Sequence, residues 1–103
     1  MAKTIKKKVR WNPSLATDTV SYRVYVSKDP VEVNYNSQYI ETTSTQVVIP
    51  DDFPSNTFDK DILYNIGVSA LDDLGNESDI VVISSPFDFV APDAPTGLVV
   101  EDL

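Results

Sequence analysis

Residues Tyr64, Ile66, Val68 and Ala70 alternate with Asn65, Gly67 and Ser69. Strict alternation of apolar and small or polar residues is the pattern of a strand with one buried face. Asp72-Asp73-Leu74-Gly75-Asn76 then interrupts the run with turn formers, and Ile80-Val81-Val82-Ile83 resumes it. The pair reads as a hairpin with a long loop, its second strand running to about Phe89. Helical periodicity is absent from the whole chain. Short strand-like runs separated by Pro, Asp, Asn and Ser predict an all-β fold, a two-sheet antiparallel β-sandwich.

The remaining elements follow from the same period. Thr4–Trp11 reads as a strand with Ile5, Val9 and Trp11 inward. Lys7 shares that inward register, which a lysine tolerates at an open end where its head reaches water. Val20–Ser27 places Tyr22, Val24 and Val26 on one face, with Arg23 and Tyr25 on the other. Gln38–Thr42 and Thr45–Ile49 are short strands, the latter stopped by Pro50. The 51–61 turn region contains Phe53 and Phe58, so it is expected to fold back over the core edge. Pro86 within the last long run fits an edge position or a bulge. The core is expected to centre on Trp11, Tyr22, Val24, Tyr64, Ile66 and Val68.

Composition excludes much chemistry. Histidine and cysteine are both absent from the 103 residues. The commonest general base and zinc ligand, and any thiolate or disulfide, are therefore missing. No glycine-rich phosphate loop occurs. The net charge of −8 is unevenly placed, since Lys3, Lys6, Lys7, Lys8 and Arg10 crowd the first ten residues. The acidic remainder disfavours nucleic acid and anionic membrane as partners. For the basic start, between a polyanion-binding arm and one solvated strand face, the interleaved Ile5, Val9 and Trp11 favour the second. No run approaches the ~18 apolar residues of a membrane helix, and no signal peptide is visible.

Adjacent aspartates on loops do not build the pocket with carboxylates about 5–10 Å apart that glycoside chemistry needs, so no catalysis and no cofactor are expected. Weak calcium candidates are Asp59 with Asp61, and Asp72, Asp73, Asn76 and Glu77, although neither group has the spacing of a known calcium loop. Tyr25, Tyr35 and Tyr39, with Leu74 in the hairpin loop, form the candidate interaction surface, because exposed tyrosines favour contact with protein or carbohydrate. No Arg-Gly-Asp motif is present.

Taken in order, Trp11-Asn12-Pro13, Tyr22-Arg23-Val24-Tyr25-Val26-Ser27, Tyr64-x-Ile66-x-Val68-x-Ala70 and Leu71-Asp72-Asp73-Leu74-Gly75-Asn76-Glu77-Ser78 resemble a fibronectin type III domain of the immunoglobulin-like sandwiches. The resemblance makes these strand B, strand C, strand F and the F–G turn. It implies that the Tyr64 hydroxyl bonds back to the preceding loop. It departs at the ends. Nothing resembling strand A precedes strand B, yet Pro92–Leu103 looks like a strand A entry. Residues 1–91 are accordingly expected to form the sandwich. Residues 92–103 are expected either to lead into a next domain or to complete a sandwich, in cis or in a neighbour. In the second case Leu98, Val99, Val100 and Glu101 would pair beside Lys6, Lys8 and Arg10.

The resemblance implies a non-catalytic interaction or spacer module of a multidomain bacterial surface or secreted protein, with cell adhesion among its roles. Such a module binds protein or polysaccharide through loops. Two alternatives are a structural subunit self-assembling by strand exchange through residues 92–103, and an accessory domain of a carbohydrate-active enzyme. An extracellular or cell-surface location is expected if the chain belongs to a larger protein.

Overall fold

The computed structural model describes residues 3–83 and 85–103. It is an all-β sandwich of two antiparallel sheets. The strands are β1 (Lys7–Arg10), β2 (Thr19–Lys28), β3 (Gln38–Thr42), β4 (Gln46–Ile49), β5 (Tyr64–Asp72) and β6 (Val81–Val82). One sheet has the order β1-β4 and the other β3-β2-β5-β6. The long central pair β2–β5 sets the register, with Val24 opposite Val68 and Val26 opposite Ile66. In the smaller sheet Val9 lies opposite Val47.

The core forms where the inward residues of the two sheets meet. Val24, Val26, Val47, Ile49, Tyr64 and Ile66 are buried there with Phe53 and Phe89. The 51–61 region does fold back over the edge. Phe58 stacks edge-on against both Phe53 and Tyr64, at centroid distances of 5.4 and 4.8 Å. Phe89 closes the same cluster at 4.9 Å from Phe58. The Tyr64 hydroxyl accepts a 2.6 Å hydrogen bond from the Asp59 N–H, so the loop is tied to the ring that it covers. Trp11 and Val68 are only partly buried against this core, because among the described residues no strand covers the side of the sandwich beyond β1.

Four expectations change. The first strand shortens to Lys7–Arg10. The partner of β5 is only two residues long, followed by a lone bridge between Tyr64 and Phe87 after Pro86. Proline interrupts a sheet because it cannot donate a ladder bond. Thr96–Leu103 is extended but forms no strand, and Leu98 and Val100 are almost fully exposed. A strand needs a neighbour for its main-chain hydrogen bonds, and among the described residues this segment has none. The pairing of residues 98–101 with Lys6, Lys8 and Arg10 is therefore not formed within the chain. Lys6 instead pairs with Asp51 at 2.8 Å.

The fourth change concerns β5. Its small and polar face is not solvated, since Gly67 and Ser69 are buried along with Leu71. The 29–37 loop and Ile80 fold across it. A Cβ at Gly67 would sit 2.5 Å from Ile80 Cγ2 and 3.0 Å from Val33 Cγ1. Only glycine lets these groups approach the sheet so closely, and neither stiff β-branched side chain can readily withdraw. Gly67→Ala is expected to destabilise the fold by roughly 1–3 kcal/mol through overpacking. Thermal unfolding checks this. A drop of about 4–8 °C per kcal/mol is expected for a domain of this size.

Candidate functional site

Three strands bring a polar and aromatic cluster together on the outer face of the larger sheet. The alternation that puts Tyr22, Val24 and Val26 inward puts Ser21, Arg23 and Tyr25 on the opposite face. Register then places Ser69 beside Arg23 and Gly67 beside Tyr25 on one side. It places Glu41 beside Arg23 and Tyr39 beside Tyr25 on the other. The hairpin turn returns Glu77 to this face through its bridge with Leu71.

Asp72 shapes that return. Its carboxylate accepts the N–H groups of Leu74 at 2.9 Å and Asn76 at 2.8 Å, and the Asn76 amide at 2.9 Å. These bonds, the Asn76 amide foremost, hold the Asp72 carboxyl below its ordinary range. Gly75 takes the positive φ of 86° that the turn requires.

Glu77 is the hub. Its carboxylate accepts hydrogen bonds from the Tyr25 hydroxyl, the Ser69 hydroxyl and Arg23 Nη1, the last at 3.1 Å. Arg23 Nε reaches Glu41 at 3.2 Å, and the Glu41 carboxylate also accepts from the Ser21 hydroxyl at 3.3 Å. The Arg23 guanidinium lies 4.5 Å from the centre of the Tyr39 ring, within cation–π range. Arg23 therefore has a carboxylate on each side and an aromatic face against it. Each of these contacts limits its freedom.

The three tyrosines of the candidate surface come together. Tyr39 and Tyr35 pack against Tyr25 at 5.3 and 6.4 Å, and the Tyr35 hydroxyl donates to the Ser78 carbonyl at 2.8 Å. Their exposures differ sharply. Tyr35 and Tyr39 are 53% and 43% exposed, whereas Tyr25 is 0% exposed. The expectation of an outward, accessible Tyr25 is corrected. It does point away from the core, but its two neighbours and Glu77 bury it. Leu74 stands apart at the hairpin tip, fully in solvent.

Burial first, and then the bond to Glu77, pushes the Tyr25 phenol above its ordinary value of 10.0. The unfolded chain ionises this phenol more easily than the folded one. Its stabilising contribution is thus complete below pH ~10 and is lost as pH rises beyond that. Urea unfolding across the alkaline range should show the fall, and Tyr25→Phe should flatten it.

The calcium candidates do not converge. Asp59 pairs with Lys28 at 2.5 Å, Asp72 serves its own turn, and Glu77 is taken up by its three donors. Among the described residues, no three acidic groups lie where they could hold a metal ion. A carboxylate with three donors has little capacity left as a general base. What this face presents to solvent is a surface of two tyrosine rings and the rim of one guanidinium. In the sequence Glu77 stands out only as one acid of the turn, grouped with Asp72, Asp73 and Asn76 as a weak calcium candidate. Comparison of the chain with protein families, with curated proteins and with solved structures finds no match.

Proposed function

We propose that this chain is a non-catalytic interaction module similar to a fibronectin type III domain. It would serve as a binding or spacing unit in a multidomain surface or secreted protein, with protein or polysaccharide as its ligand. The division of strands supports the family reading. With β1 as strand B, β2 as C and β5 as F, strands C and F are neighbours in one sheet and B lies in the other, as in immunoglobulin-like sandwiches.

The observation that carries the binding role is the paired exposure of Tyr35 and Tyr39 over a buried, fully hydrogen-bonded base. Tyrosine and arginine concentrate binding energy at interfaces. Side chains already locked in place lose little further freedom when a ligand arrives. This moves the expected contact from the loop tips to the outer face of the larger sheet.

The test is a binding panel of cell-wall polysaccharides and extracellular-matrix proteins against the wild type and a Tyr35→Ser/Tyr39→Ser variant. The expected result is that at least one ligand binds and weakens by about tenfold or more in the variant, with unfolding transitions unchanged. A tenfold loss corresponds to about 1.4 kcal/mol. Absence of binding, or binding indifferent to both substitutions, would overturn the reading.

A further inference from the structure

The smaller sheet ends abruptly at β1. Its inner neighbour is β4, and among the described residues nothing pairs with its other edge. Trp11 N–H bonds to the Thr45 carbonyl at 3.0 Å. By the alternation of an antiparallel ladder, Lys7, Val9 and Trp11 address β4, so Lys8 and Arg10 turn their main-chain N–H and C=O groups to the open edge. Behind that edge the sandwich gapes. Trp11, Val68, Ala70 and Val81 line a groove there, and Trp11 Nε1 is buried with no hydrogen-bond partner among the described residues.

The same chain carries an unpaired strand pattern. Leu98, Val99 and Val100 are exposed in an extended tail that projects from one end, so the molecule measures 70 × 24 × 21 Å. We propose that this tail adds to the free edge of β1 in a second copy of the chain, antiparallel, with Val100 opposite Val9 and Glu101 opposite Lys8.

Pattern selects that register. It places Leu98 opposite Trp11 and Val100 opposite Val9, so both apolar residues face the groove. Directly opposed residues share a face, so Asp102 falls beside Lys7, the one lysine in the inward register, and Glu101 falls beside Lys8 on the outer face. A parallel arrangement would set the Asp102 carboxylate against Trp11 and leave Leu98 beside Lys7.

Geometry selects the second copy over the chain's own edge. Val90 and Thr4 line one groove, so the tail departs near the start of β1. Lys60 pairs with Asp93 and holds its root there. To lie antiparallel to its own β1, the tail would have to run the length of that strand and reverse. Pro92 and Pro95 stiffen the path. A second molecule presents its edge in the required direction without any reversal. Reciprocal exchange closes a dimer, and one-way donation builds a chain.

The test is light scattering and sedimentation of the full chain over a wide concentration range, with charge reversals. The wild type is expected to form dimers or larger species as concentration rises. Lys8→Glu and Glu101→Lys should each weaken self-association by about tenfold, since opposed like charges repel. The combined Lys8→Glu/Glu101→Lys variant should recover it. The rescue separates strand pairing from a general charge effect and from misfolding of either single variant. A monomer at all concentrations would overturn the proposal, as would association that ignores both reversals.

Discussion

Replacing Tyr64 with alanine is expected to lower stability by roughly 3–5 kcal/mol, the range for deleting a large buried aromatic ring. The ring is 2% exposed and is the piece of β5 on which the loop aromatics rest. Phe58 packs edge-on against it, Phe89 lies 6.5 Å away, and its main chain pairs with Phe87 in both directions, at 2.7 and 2.9 Å. Tyr64→Ala would open a cavity that these neighbours fill poorly. It would also strand the Asp59 N–H that the hydroxyl receives. Tyr64→Phe separates the two effects, because it keeps the ring and loses the bond, for about 1 kcal/mol. Urea unfolding of both variants checks this. An alanine variant no weaker than the phenylalanine one would show that the ring is not the centre of the core.

The second large effect is expected from Glu77→Ala, at roughly 2–4 kcal/mol. The substitution removes one acceptor from three donors at once. The Tyr25 hydroxyl suffers most, since its residue is fully buried and water cannot replace the lost partner. Arg23 suffers less. Its side chain is 26% exposed and it keeps Glu41, which is why the figure stays below the full cost of breaking a buried ion pair. A double-mutant cycle of Glu77→Gln with Tyr25→Phe should show coupling of about 0.5–3 kcal/mol, as residues in one network do. Additive effects would mean that the two groups do not act together.

The central strands β2 and β5 were legible because their apolar residues alternate without interruption. Tyr22-x-Val24-x-Val26 and Tyr64-x-Ile66 are inward in the sandwich as the pattern requires. The bond from Tyr64 back to the preceding loop was legible too, since the resemblance assigns it to a residue at the start of this strand. The second face of β5 was not. Asn65, Gly67 and Ser69 read as solvent-facing by polarity. In the fold, Asn65 donates to the Val31 carbonyl at 3.1 Å and so holds the 29–37 loop across that face. Nothing local in the sequence says that a loop some thirty residues upstream will lie there.

Tyr25 misled for a related reason. It shares a face with Arg23, and charge usually marks solvent, but here the charge is neutralised by Glu41 and Glu77 from two other segments. Glu77 read as one acid among several in a turn, because its partners are 8 to 54 residues away in the chain. At residues 98–103 the alternation is present but the neighbour is not, so the pattern describes a capacity to pair rather than a strand.

The centre of the larger sheet, where β2 meets β5, is buried, while among the described residues the smaller sheet stays open along β1. Amide hydrogen exchange on the full chain, in dilute solution, tests this division. The amides of Val24 to Val26 and Ile66 to Val68 are expected to exchange slowest, near the limit set by global unfolding. Those of Lys8, Arg10 and residues 98–102 are expected to exchange fast. Equal protection of the β1 edge and the tail in the dilute monomer, or rapid exchange in the centre of β2 and β5, would contradict it.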